Sequence, residues 1–189
     1  MTGVLVLWSG GVDSTLLVKR ALDEEQLGLP VFVAYGQPAS AQESAACRQL
    51  GNHWRIEWQR LYLALRGMDA MATGYRQPGP RILPGRNQIM ISHAVNIAAA
   101  AQLGEVWIGA TAGDRADYAD CRPGFIAAMD ELAQAWGVRV RAPLLDMSRA
   151  DVVQECRDRS VPLELCWSCY QPRGIDPCGE CNSCRQEKP

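Results

Sequence analysis

Histidine is scarce in this chain, with two among 189 residues. That leaves little material for a histidine-based metal centre or for Ser-His-Asp hydrolysis. His53, at the edge of a predicted strand, and His93, inside a helical pattern, read as structural. No apolar stretch is long enough to span a bilayer, and no apolar segment follows a basic N-terminus. The expectation is a cytoplasmic protein with no membrane partner. An excess of positive charge is also missing, since the formal net charge is −2. Nothing in bulk attracts a polyphosphate chain, so a small-molecule substrate is favoured and no nucleic acid is required, with a local basic patch left open. Repeats and low-complexity linkers are absent, and the length suits one compact domain with a core of its own. In a reducing compartment disulfides do not explain eight cysteines, which leaves free thiols or metal.

What is present begins at Val4. The run VLVL is apolar, and Trp8 leads into Ser9-Gly10-Gly11-Val12-Asp13-Ser14, followed by the helical stretch that opens at Thr15. The pattern predicts a buried strand turning sharply into a helix N-terminus. Glycines at the turn let successive backbone N–H groups approach one anion, and the helix dipole adds partial positive charge. Ser9, Ser14 and Thr15 add hydroxyls, and Asp13 is either a cap or a magnesium ligand beside phosphates. The lysine of a Walker loop is missing. The six residues instead resemble the S-G-G-x-D-S pyrophosphate loop of the ATP pyrophosphatase superfamily, whose members adenylate a carbonyl or carboxyl oxygen.

Beyond it, apolar strands alternate with amphipathic helices: strand 31–35, helix 41–50, strand 53–58, helix 87–103 opening at Asn87, strand 106–109, a helix beginning at Pro123 and stopping by Gly137, strand 138–140, and a helix capped by Ser148. Such alternation predicts an α/β fold, a parallel sheet with helices on both faces. The segment 74–86, with three prolines and three glycines, reads as a loop or lid. Ligands of an open parallel sheet bind beyond the carboxyl ends of its strands. The glycine loop, Gly36-Gln37 and the polar loop 110–122 should therefore line one crevice.

The boundary at 160 separates this domain, 1–160, from a cysteine-rich tail, 161–189, packed on it. Cys169, Cys178, Cys181 and Cys184 are spaced C-x8-C-x2-C-x2-C, which suits four thiolates around one tetrahedral zinc ion. An iron–sulfur cluster and metal-free redox thiols are the alternatives. Cys166 forms a C-x2-C pair with Cys169 and competes as a ligand. Cys47 and Cys156 sit in helical patterns and read as core residues, whereas Cys121 lies in the loop facing the crevice.

Five segments together resemble the 7-cyano-7-deazaguanine (preQ0) synthases of queuosine biosynthesis, the QueC family: SGGVDS at 9–14, YGQ at 35–37, LPGRN at 83–87, DYADCRPGFI at 117–126, and PLELCWSCY joined to CGECNSCR across 162–185. The resemblance implies a Rossmann-like, adenine nucleotide alpha hydrolase-like domain. It implies a ligase that converts 7-carboxy-7-deazaguanine and ammonia to the nitrile with ATP and Mg2+, with Zn2+ on the four tail cysteines. Its ATP site would comprise Trp8, Ser9, Gly10, Gly11, Val12, Asp13, Ser14, Thr15, Arg86 and Asn87. The deazaguanine would meet Tyr35, Gln37, Asp114, Asp117, Asp120, Cys121 and Arg122, with Asp13, Ser14, Asp120 and Arg122 in catalysis and Arg122 forming a planar fork for the carboxylate. A homodimer is compatible with this reading. The chain departs from the family pattern where Pro38 and Ala39 replace an Arg-His pair, where Gln42 takes a glutamate's place, and where Cys166 precedes W-S-C-Y. It is also short around residues 66–80. Two other readings share the loop: a tRNA-thiolating enzyme, which needs a reactive cysteine, and a module that attaches a deazaguanine to a macromolecule.

Overall fold

The computed structural model describes residues 3–65 and 83–186. The expected loop or lid at 74–86 and the shortened region at 66–80 fall mostly or wholly outside them. Strands β1 (Val4–Leu7), β2 (Leu27–Ala34), β3 (Gln59–Tyr62), β4 (Glu105–Trp107) and β5 (Arg139–Arg141) form one sheet in the order β3-β2-β1-β4-β5, every pair parallel. This is the α/β architecture that the alternation of patterns predicts. The chain passes from β1 outward to β3, then returns to place β4 on the other side of β1. That reversal opens a crevice above β1.

Alternation along β1 shows why the sheet is covered twice. Val4 and Val6 pack with α1 (Val12–Asp23), α2 (Ser40–Trp54) and the helix Arg149–Asp158, while Leu5 packs with α3 (Arg86–Ala100) and the helix Pro123–Gln134. Successive strand residues point to opposite faces, so a strand apolar at every position needs helices on both. Leu16, Leu17, Leu50 and Leu144 are fully buried in the first layer, Leu5, Val106 and Val138 in the second. Between β4 and β5 lie the short α4 (Ala112–Asp117) and then α5 (Pro123–Gln134); α6 (Arg149–Asp158) and α7 (Asn182–Gln186) follow β5.

The segment 53–58, expected as a strand, is not one. α2 runs on to Trp54, so His53 lies in its last turn, and Arg55 ends the helix in the left-handed conformation at φ 56°. The apolar Ile56 and Trp58 that suggested a strand pack into the first core layer, Trp58 edge-on to Trp8 at 6.3 Å and to Phe32 at 6.5 Å. The true strand, β3, is the sheet's edge and is largely exposed. Its Gln-Arg-Leu-Tyr sequence therefore carries no apolar run to detect. β2 begins earlier than expected, at Leu27, because Gly28 is absorbed where the register with β1 shifts and Pro30 then pairs in register with Val6.

Candidate active site

Three loops at the carboxyl edge converge on a cleft of about 260 Å3. The glycine loop is built for close approach. Gly10 has φ +75°, and a Cβ there would stand 2.8 Å from the Glu43 carbonyl oxygen and 2.9 Å from the Ala46 Cβ. Gly109, after β4, passes so near α1 that a Cβ would lie 3.1 Å from the Ser14 nitrogen. Gly11 caps α1 without a side-chain hydrogen bond, so the N-terminal N–H groups of this 12-residue helix have no side-chain acceptor at the cap. The hydroxyls of Ser9 and Ser14 lie 3.1 Å apart, and Ser14 also donates to the Gly11 carbonyl at 3.1 Å. Thr15 faces inward, fully buried, and accepts from the Trp8 indole N–H at 3.0 Å. A left-handed alanine costs about 1–2 kcal/mol before any clash. Gly10→Ala is accordingly expected to destabilise the fold by about 2 kcal/mol or more, measured as a lowered urea midpoint.

Asp13, in the first turn of α1, is paired with Arg149 at the start of α6, 2.8 Å away. Burial raises its carboxyl above the usual range, and the Arg149 charge opposes that rise. Of the other sequence-predicted residues, Trp8, Ser9, Gly11, Ser14, Tyr35, Gln37, Arg86, Asn87, Asp114 and Cys121 line the cleft with Asp13. Gly10, Val12, Thr15, Asp117, Asp120 and Arg122 do not; Arg122 is exposed at the N-cap of α5, and Asp117 is exposed at the end of α4. The guanidinium that faces the cleft is that of Arg86, which donates to the Tyr35 hydroxyl at 3.3 Å and stands 5.8 Å from its ring centroid. Asn87 reaches the Asp120 carbonyl at 3.5 Å and the Cys121 sulfur at 3.7 Å. Asp114 closes a capping box with Thr111, and its Oδ2 accepts from the Thr111 N–H at 2.9 Å. Burial, then the Asp114 and Asp120 charges, push the Cys121 thiol up to about 12, so it is a neutral thiol near pH 7.

Among the cleft residues with polar side chains, Glu43, Tyr118 and Tyr170 escaped the sequence reading. Glu43 is informative, because Gln37 is spent on holding it. The Gln37 amide accepts from the Tyr35 N–H at 2.8 Å and donates both N–H groups, to the Val33 carbonyl at 3.0 Å and to Glu43 at 2.8 Å. Burial raises the Glu43 carboxyl from its ordinary 4.5 to about 7, against the opposing Gln37 hydrogen bond and Arg86 charge. The folded state thus binds this proton more tightly than the unfolded chain, and stability falls as pH rises from about 4.5 to 7. Glu43→Gln keeps an acceptor for Gln37 and removes the titration. Its stability relative to wild type is expected to improve from pH 5 to about pH 7 and to level off above that, in urea denaturation at each pH.

The tail reaches back to this loop. The Trp167 N–H donates to the Gly10 carbonyl at 2.9 Å, and Gln42 donates to the Gly174 carbonyl at 2.7 Å. The sulfurs of Cys169, Cys178, Cys181 and Cys184 all lie within 4.8 Å of one another, the only such group among the described residues. Four sulfurs at about 2.3 Å from a tetrahedral zinc are about 3.8 Å apart, so the donor set fits that ion. Backbone N–H groups already point at sulfur, from Cys178 to Cys169 at 3.2 Å and from Cys181 to Cys178 at 3.3 Å. Burial opposes ionisation of Cys178, yet the N–H groups of Glu180 and Cys181 bring its thiol down to about 6. Cys166 is not part of the group: its thiol faces the Pro162 carbonyl at 3.9 Å and packs on the first core layer. The competition that spacing left open is decided by direction.

The sequence profile of the family described as queuosine biosynthesis protein QueC matches residues 3–188. A 7-cyano-7-deazaguanine synthase of Prochlorococcus marinus is 34% identical over 203 aligned residues, which cover 96% of this chain and 89% of that protein. Another, from Pseudomonas putida strain W619, is 33% identical over 200, with the same coverage. The chain belongs to the QueC family.

Solved structures share the fold at much lower identity. The U34-tRNA thiolase NcsA from Methanococcus maripaludis, described with its [4Fe-4S] cluster, aligns with a TM-score of 0.62 at 17% identity, covering 98% of this chain and 63% of that one. NMN synthetase from Francisella tularensis aligns at 0.61 and 13% identity, covering 93% and 68%. Gln42 turns to the tail, and the neighbouring Glu43 enters the cleft. No described helix is long and apolar enough to cross a membrane.

Proposed function

We propose that the chain is an ATP-dependent ligase that converts 7-carboxy-7-deazaguanine and ammonia to 7-cyano-7-deazaguanine. The observation that carries this reading is the uncapped N-terminus of α1 opening, with Ser9 and Ser14, into the cleft shared by the loops after β2 and β4, in a chain whose curated relatives are 7-cyano-7-deazaguanine synthases. A carboxylate is inert to amines because oxide is a poor leaving group. Transfer of AMP from ATP to the carboxylate oxygen releases pyrophosphate and gives an acyl-adenylate. Ammonia then attacks the acyl carbon, AMP leaves, and the amide forms with loss of one proton. A second AMP transfer, to the amide oxygen, lets AMP depart as both N–H protons are lost, which leaves the nitrile.

In this scheme Ser9, Gly10, Gly11, Val12 and Ser14 hold the departing pyrophosphate through backbone N–H groups and hydroxyls. ATP is taken as its Mg2+ complex, toward which Asp13 is the nearby carboxylate. Arg86 and Asn87 face the nucleotide or the acceptor carboxylate, and Tyr35 orients Arg86. Gln37 acts through Glu43. The loop after β4 receives the deazaguanine, with Asp114 and Cys121 on the cleft wall and Asp117, Asp120 and Arg122 beyond it. The tail from 161 braces the domain 1–160, with structural Zn2+ on its four thiolates.

The test is mass spectrometry of a reaction holding 7-carboxy-7-deazaguanine, ATP, Mg2+ and an ammonium salt. The nitrile with AMP and pyrophosphate supports the reading. ADP and phosphate would overturn the adenylation scheme. ATP cleavage stimulated by tRNA with the carboxylate inert would overturn the substrate.

A further inference from the structure

The order β3-β2-β1-β4-β5 puts the loops after β2 and β4 on opposite sides of the glycine loop. A nucleotide whose phosphates rest on that loop therefore has two directions in which organic groups can lie. The two sides differ in chemistry. From the β2 side the cleft is lined by Val31, Val33 and Tyr35, with Ile91 and Arg86 of α3 beside them and Arg86 bonded to the Tyr35 hydroxyl. On the β4 side stand Asp114 and Tyr118, joined by Tyr170 from the tail.

Tyr170 is held on that side by position and by anchoring. The charges of Asp114 and Asp13 act on its phenol. It follows Cys169 of the sulfur group, whose carbonyl accepts from the Trp167 indole N–H at 2.8 Å, while the Trp167 backbone is fastened to Gly10. Tyr170 lines the cleft and is 43% exposed as a residue, with its phenol buried and hydrogen-bonded to Ser183. Asp114 spends Oδ2 on its capping box, which leaves Oδ1 for a ligand. An aromatic residue on the cleft wall beside a carboxylate acceptor suits a planar heterocycle that carries N–H donors along one edge.

We propose that Tyr170 is the stacking wall for the acceptor's fused heterocycle, with Asp114 accepting from its N–H edge, and that the adenosine of ATP occupies the β2 side. The inference rests on the function proposed above. It assigns recognition of the two substrates to opposite sides of one loop, and it makes the cysteine tail part of the acceptor site.

The experiment is isothermal titration of wild type, Tyr170→Phe and Tyr170→Ala with 7-carboxy-7-deazaguanine and, separately, with ATP and Mg2+, with the metal content of each protein measured. Tyr170→Ala is expected to bind the carboxylate about 10- to 100-fold more weakly, as loss of one base-stacking ring does. Tyr170→Phe should stay within about threefold of wild type, and ATP affinity and metal content should be unchanged in both. Unaltered binding of the carboxylate by a folded Tyr170→Ala protein overturns the proposal, as does a loss confined to ATP. Rescue failing in Tyr170→Phe would also overturn it, because the phenol rather than the ring would then be what matters. Wild-type protein that does not bind the carboxylate at all would sink the functional reading itself, and the proposal with it, a result distinct from the other three.

Discussion

Cys181→Ser is expected to lose the metal and most of the folded population, whereas Cys166→Ser keeps about one zinc per chain and stays folded. The contrast follows from where the two sulfurs point. Cys181 is buried in the group of four, 3.4 Å from the Cys184 sulfur, and its N–H supports Cys178. Cys166 packs with the core instead. Binding of a structural zinc by four thiolates is worth about 10–16 kcal/mol at neutral pH, comparable to or larger than the whole stability of a domain. Residues 161–166 pack on the main core, but beyond them the tail is held to the domain by a few hydrogen bonds, such as Trp167 N–H to the Gly10 carbonyl and Gln42 to the Gly174 carbonyl. Its apolar cluster consists of the cysteines themselves with Trp167, and α7 spans five residues. Metal analysis with thermal denaturation of both variants checks this. A folded, zinc-loaded Cys181→Ser protein, or a metal-free Cys166→Ser protein, would refute the ligand set. Iron with acid-labile sulfide in the wild type would replace zinc by a cluster.

Asp13→Asn is expected to lower turnover about 100- to 1000-fold while leaving fold, metal content and ATP affinity near wild type. The magnitude is that of removing one well-placed charge or donor from a polar transition state. The amide is preferred to alanine because Asp13 is not a free surface carboxylate. It pairs with Arg149 across α1 and α6 and is raised by its own burial, so a truncation would strand the guanidinium. An asparagine oxygen still accepts from Arg149, which now donates to Asp13 at 2.8 Å, whereas the charge proposed to face the cation on the pyrophosphate is gone. The readout is acceptor-stimulated AMP release at saturating ATP, with unfolding followed in parallel. Undiminished AMP release would remove Asp13 from the reaction.

Much of this molecule is legible in its residues because the signals are local. Apolar runs flanked by glycine give β1 and its turn, Ser148 and Asp151 give a capping box, and Pro123 opens α5. The four clustered cysteines are spaced by two short turns and an eight-residue excursion, a spacing that points to a metal-sized group without choosing between Cys166 and Cys169. β3 was hidden because an edge strand needs no apolar pattern, and its neighbour Trp58 supplied a false one.

Tertiary structure decided everything that depends on direction across the sheet. Whether Cys166 or Cys169 joins the sulfur group depends on which way each side chain points, and C-x2-C spacing fits both. Glu43 looks like any helix-face glutamate until Gly10 lets α2 approach the loop within 2.8 Å of where a Cβ would stand, which turns the carboxyl inward against Gln37. Tyr170 is 135 residues from Tyr35 in the chain, and the fold places both on one cleft. Sequence determined the parallel α/β frame, the glycine turn into α1 and the cysteine spacing of the tail, since hydrogen bonding, side-chain period and chelate spacing act over a few residues. Packing determined which side chains face the cleft and what charge they carry there, because burial and opposing charges come from segments far apart in the chain.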